Sequence, residues 1–139
     1  FKAHMAQRMP ETQGTYWEYL RSSFAQAEAG LSAGLSAAMV ETELLQRLAT
    51  LRAAIESMPF LPDFRQQLAA AYTRSFGAGL GTAPSFIVSD TNMEDRADFS
   101  GAGINLTVPD VVEEADVMNS SSRVWASRYR ERSYRWRQK

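Results

Sequence analysis

Residues able to do chemistry are sparse in this chain. There is one histidine, His4, and no cysteine. By count this excludes a histidine-based triad, a multi-histidine metal site, cysteine-ligated zinc, an iron–sulfur cluster, a thiol nucleophile and any disulfide. His4 also lies near an end expected to fray. The run Gly77-Ala-Gly79-Leu-Gly81-Thr82 invites a phosphate-loop reading, which needs backbone N–H groups gathered at the start of a helix after a strand. Here the glycines follow a helical pattern and precede Pro84, without a Walker lysine, so the run reads as a flexible connector. Asp90, Asn92 and Glu94 match the first three oxygen positions of a calcium loop. The sixth position is Asp95 instead of glycine and the twelfth is Gly101 instead of glutamate, so the match fails where geometry is strictest. With Asp98 they read as a solvated acidic loop. Glu113, Glu114 and Asp116 sit together on a short helix and not across a cleft, as paired general acid–base carboxylates would. Ser85, Ser120, Ser121 and Ser122 have no identifiable base, and the two lysines, Lys2 and Lys139, are terminal. The sequence therefore predicts no catalytic residue, no cofactor and no metal.

The distinctive chemistry is at the C-terminus. Residues 123–139 hold six arginines and one lysine against the single acid Glu131, a net of +6, so the remainder carries −7 of the chain's overall −1. Read as one helix, Trp125, Tyr129 and Trp136 fall on one stripe with Arg132 between them, and Tyr134 points away. Such a helix either docks on a partner or packs on the body, with its arginines solvated or paired with Glu113, Glu114 and Asp116. Arginines surround nearly the whole helix, and exposed tryptophans forgo roughly 1.5–3 kcal/mol each of burial. A partner is therefore expected at Trp125, Arg128, Tyr129, Arg132, Arg135 and Trp136, because tryptophan and arginine most often carry interface energy.

The elements that must position these groups read as mainly helical: an antiparallel hairpin or small bundle, an irregular middle, and the basic-aromatic C-terminal helix. At 139 residues, 45% hydrophobic and 22% charged, the composition is that of one ordinary globular domain. Residues 1–14 read as an N-terminal arm and 15–77 as the helical core. Thr15 and Glu18 have capping-box spacing, followed by Tyr16, Leu20, Phe24 and Ala27 on one face. A break is expected between Gly30 and Gly34. Leu44, Leu48, Leu51, Ile55 and Met58 form a seam in 4-3-4-3 rhythm that Pro59 ends. A third helix is expected from a cap at Asp63 to Gly77. The short linker Pro59–Pro62 predicts an antiparallel hairpin of the second and third helices over 35–77. Residues 78–109 read as an irregular segment: two short strands at 85–89 and 104–108, or an extended loop wrapped on a partner. Within 110–139, a docking segment, Asp110 is expected to cap a helix to Met118. Asn119–Ser122 then interrupts it before a last helix at about 122–138.

No uncharged run reaches the roughly 18 residues that cross a bilayer, and no secretory signal is present in the chain as given. Taken together, these features predict a non-catalytic structural or accessory subunit of a larger assembly, with other protein subunits as partners. Phe1 in the first position reads either as a processed terminus or as an artificial start preceding Met5. The former would place the chain in the mitochondrion, as a supernumerary subunit of a membrane complex. The alternatives are a nucleic-acid-binding or virion protein, or attachment to an anionic membrane surface, through residues 123–139. An enzyme acting on a small molecule is least favoured.

Overall fold

In the computed structural model, residues 1–89 and 103–138 are described, with the backbone alone of 95–96 and 99–100. The acidic loop of Asp90, Asn92, Glu94 and Asp98, with Gly101 and Lys139, lies outside the described residues. The chain is mainly helical, with five α-helices among the described residues and a small antiparallel ribbon.

α1 (Tyr16–Ser32) starts in the expected capping box. Glu18 N–H donates to Thr15 Oγ1 at 3.2 Å, and Thr15 N–H donates back to the Glu18 carboxylate at 2.7 Å. Those bonds hold the Glu18 carboxyl below the usual range. The chain turns at Gly34 into α2 (Ala37–Glu56), capped by Ser36. Leu44, Leu48, Leu51, Ile55 and Met58 are all buried, so the seam read from the 4-3-4-3 spacing is the spine of the core. Burying each such side chain contributes roughly 1.5–3 kcal/mol.

An antiparallel helical hairpin is present, and it is built from α1 and α2. Tyr16 Oη donates to Ala54 O at 3.3 Å, and Arg47 Nε donates to Ser23 Oγ at 3.0 Å. Gly30 lies beside Val40 at the closed end. The main neighbours of α2 are α1 and α4, not α3. The N-terminal residues account for this difference from the expected hairpin. A 3-10 turn at His4–Ala6 buries His4 and Met5. Leu61 N–H then donates to His4 Nε2 at 3.1 Å and Gln7 Nε2 to Pro59 O at 3.0 Å. The 58–61 linker is thus pinned to residues 1–9 and turns α3 away from α2. Met5 and Met9 join the core with Tyr16 and the α2 seam, so residues 1–9 are part of the packing and not an extended arm.

α3 (Pro62–Phe76) has Pro62 in its first turn and Leu61, not Asp63, in the cap position. It ends at Gly77, which takes the left-handed φ of 67° that glycine adopts at little cost. After the connector, β1 (Ser85–Ile87) pairs antiparallel with β4 (Val108–Val111), Ser85 opposite Val111 and Ile87 opposite Val108. A further two-residue pair, β2 (Asp95–Arg96) and β3 (Phe99–Ser100), lies between them in sequence. The second main strand begins later than the expected 104–108 because residues 103–105 turn. Asp110 lies within β4 with φ 54°, so it does not cap the next helix.

α4 (Glu114–Ser127) starts after Glu113 and runs unbroken through Asn119–Ser122. The serines do not interrupt it because they bond back into it: Ser121 Oγ to Val117 O at 2.8 Å and Ser122 Oγ to Asn119 O at 2.9 Å. Ser120 and Ser122 are buried, and their small side chains suit the packing of α4 on α2. A turn at Arg128–Arg130 then separates α4 from the C-terminal helix α5 (Glu131–Trp136). Across this turn, Ser133 Oγ lies 3.1 Å from Ser127 O and 3.2 Å from Ile104 O, both within donating reach. Ser127 Oγ accepts from Leu106 N–H at 3.0 Å. A single helix over 122–138 is thereby replaced by two. No described helix is long and apolar enough to cross a membrane.

Candidate functional site

The break at 128–130 divides the six singled-out C-terminal residues. Trp125, on the last turn of α4, is half-buried in an aromatic hub, its ring centroid 4.8 Å from His4, 5.3 Å from Phe1 and Phe64, and 5.5 Å from Phe60. Tyr129 is buried in the core, and burial pushes its phenol up, an effect that the positive charges of Arg128 and Arg137 oppose. Arg128 is exposed at the turn, with its guanidinium 5.7 Å from the centroid of the Tyr129 ring. Arg132, Arg135 and Trp136 sit on α5, all exposed. Arg135 pairs with Glu131 at 2.9 Å and with Glu41 of α2 at 3.5 Å. Trp125, Arg128 and Tyr129 are thus brought together, while Trp136 lies on the separate α5 and the single aromatic stripe does not form.

His4 is the residue the sequence undervalued. It is 1% exposed. Since Nε2 accepts the Leu61 N–H, the neutral ring carries its proton on Nδ1, which is buried without a hydrogen-bond partner. Burial, then the positive charge of the chain terminus, holds the imidazole below its ordinary pKa. The available signal was the four-residue spacing of Phe1, Met5 and Met9 around it. Facing aromatic rings on several sides, His4 anchors Trp125 and the 58–61 linker.

Beside Trp125 opens a cleft of about 330 Å³, lined among others by Phe1, Val88, Ser89, Asn105, Trp125 and Arg128. β1 delivers Val88 and Ser89, the 103–107 turn delivers Asn105, and the α4–α5 turn delivers Arg128. An aromatic wall, an amide, a hydroxyl and a guanidinium therefore face one space. Arg128 makes no ion pair among the described residues. Arg137 Nη2 donates to Arg128 O at 2.5 Å. Partial burial, and then the nearby Arg128 charge, lowers the Arg137 pKa. The turn is consequently a concentration of positive charge without a carboxylate to neutralise it.

Two larger clefts differ in character. One of about 570 Å³ sets Glu56, Asp110 and Asp116 against Arg123. The other, about 520 Å³, lies between the α1–α2 hairpin and α5 and is walled by Phe24, Leu31, Val40, Leu44 and Tyr134, with Glu28 and Glu41. No group of three or more acidic or histidine side chains among the described residues is arranged to hold a metal ion. The glycine connector follows α3, and its Gly81, at φ 91°, sits where a Cβ would lie 2.9 Å from Glu114 N. It packs against the start of α4.

No curated protein and no solved structure matches the chain. The family model described as pyruvate phosphate dikinase, AMP/ATP-binding domain, matches residues 12–139. That match overturns the expectation of a non-catalytic structural or accessory subunit, with its mitochondrial-complex, nucleic-acid-binding and virion variants, and the expectation that the chain is unrelated to an enzyme. The reason for the error is physical: the family's resemblance is spread along nearly the whole chain, whereas the sequence reading looked for a compact set of nucleophiles, ligands or glycines. The chain belongs to the pyruvate phosphate dikinase AMP/ATP-binding domain family.

Proposed function

We propose that this chain forms part of the nucleotide-binding domain of a phosphotransfer enzyme of the pyruvate phosphate dikinase kind, with ATP and AMP as its ligands. The observation that carries this reading is the family match over residues 12–139. The distribution of charge agrees with it. Arginine guanidinium presents a planar fork of donors that suits phosphate oxygens, and Arg128 offers such a fork without a competing carboxylate. Binding of phosphate by side-chain guanidinium also dispenses with the helix-start glycine loop that the connector at 77–82 does not form.

Isothermal titration of the full chain with ATP, with and without magnesium, and with AMP tests the proposal. Saturable binding of either nucleotide is the expected result. Absence of heat with both up to millimolar concentration would sink it.

A further inference from the structure

Resting on that reading, we infer that the cleft between the end of β1 and the α4–α5 turn is the subsite for an adenosine monophosphate unit. The base lies against the Phe1–Trp125 wall and the phosphate on Arg128, with Arg137 behind it. Four features of the cleft select this ligand.

First, its volume of about 330 Å³ lies at the small end of the roughly 300–1,000 Å³ typical of small-molecule sites. It suits a nucleoside with one phosphate better than an extended triphosphate. Second, the named lining residues include no carboxylate. The two larger clefts carry Glu56, Asp110 and Asp116, or Glu28 and Glu41, and acids at those densities repel a phosphate.

Third, the positive charge is doubled and uncompensated. Arg137 reaches the Arg128 carbonyl, and each guanidinium raises the cost of the other's charge. A bound dianion relieves that repulsion, so phosphate binding gains from both charges while only Arg128 lines the cleft. Fourth, the aromatic wall is held in place before any ligand arrives. Trp125 is packed by His4, Phe60 and Phe64, which removes the entropy cost of ordering it on binding. Ser89 and Asn105 add a hydroxyl and an amide able to meet the ribose or the base edge.

The test is titration of the full chain with AMP, ATP, adenosine and inorganic phosphate, in the unchanged sequence and in Arg128→Ala, Arg128→Glu and Arg132→Ala. Arg128 and Arg132 are exposed, and thermal unfolding checks that each variant folds. AMP affinity is expected to fall about tenfold or more in Arg128→Ala, the loss of one charged hydrogen-bonding partner. The fall should be larger in Arg128→Glu, while Arg132→Ala and adenosine binding stay within about twofold of the starting values. If both nucleotides bind the unchanged chain and Arg128→Glu leaves them unaffected, the subsite is elsewhere, although the nucleotide-binding reading stands. If inorganic phosphate binds as tightly as AMP, the cleft is an anion site without base recognition and the assignment fails. If the unchanged chain binds neither nucleotide, this inference and the proposed function fall together.

Discussion

The side of the molecule built from residues 1–58 and α4 differs sharply from the side that runs from α3 through β4. On the first, Met5, Met9, Tyr16 and the whole α2 seam are buried, together with Val117, Val124 and Ala126. On the second, Tyr72 and Val111 are the buried apolar side chains among the described residues, while Phe76, Phe86, Val88 and Val112 are exposed. The seam side supplies the apolar burial that offsets the entropy of ordering the chain. The ribbon side is held by fewer and more polar links: Tyr72 Oη to Ala83 O at 2.6 Å, and Arg65 to Glu114 at 2.6 Å. The lesson is a division of labour. The candidate cleft opens where the two sides meet, with Trp125 and Arg128 from the buried side and Val88 and Ser89 from the lighter one.

Substitution at the centre of the seam is the strongest way to break this comparison. Leu51 is fully buried, and Leu51→Ala should cost about 2–5 kcal/mol by lost transfer and cavity formation. Urea unfolding measures it. A cost no greater than that of a ribbon substitution would refute the division. Next comes acid. The folded-state pKa of His4 lies below its ordinary value, so the unfolded chain binds the proton more readily. The His4 contribution is therefore intact above the ordinary value of about 6.5 and is lost as pH falls below it, down to the folded pKa. Its slope can reach at most about 1.4 kcal/mol per pH unit. Unfolding measured from pH 7.5 to 5 should show that loss in the unchanged chain and a shallower one in His4→Phe. Equal slopes would show that the hub does not discriminate against the charged ring. The smallest effect belongs to the ribbon: Phe86 is 71% exposed, and Phe86→Ser should change stability by less than about 0.5 kcal/mol in the same urea assay.

The same contrast explains what could be read before the fold was known. Local signals were legible. Thr15 and Glu18 cap α1, the seam of α2 is buried, and Gly77 takes its left-handed turn, because each depends on neighbours within one or two helical turns. Long-range pairings were not. The fate of α3 depended on His4 accepting from Leu61 across 57 positions, for which the Pro59–Pro62 linker gives no hint. The serines of 119–122 were misread because a hydroxyl that breaks a helix in one setting satisfies it in another. At the candidate site, Trp125 and Arg128 stood out by residue type. Ser89 and Asn105 reach the same cleft only through strand pairing and a turn, and neither carries a spacing signature. The helix break at 128–130, which decides which arginines share a space with Trp125, was equally silent.

The two buried hydroxyls of Ser127 and Ser133 carry a mechanical implication. Ser133 reaches Ile104 O, and Ser127 takes the N–H of Leu106, so the backbone is moored on either side of Asn105. Ser133 is also bonded to Ser127 O across the very turn that bears Arg128. Asn105 and Arg128 are thus bolted to one rigid corner, and a molecule that pulls on one must move both. That wall of the cleft has no hinge of its own. Any adjustment to a ligand must come from the β1 side, where Val88 and Ser89 leave the ribbon.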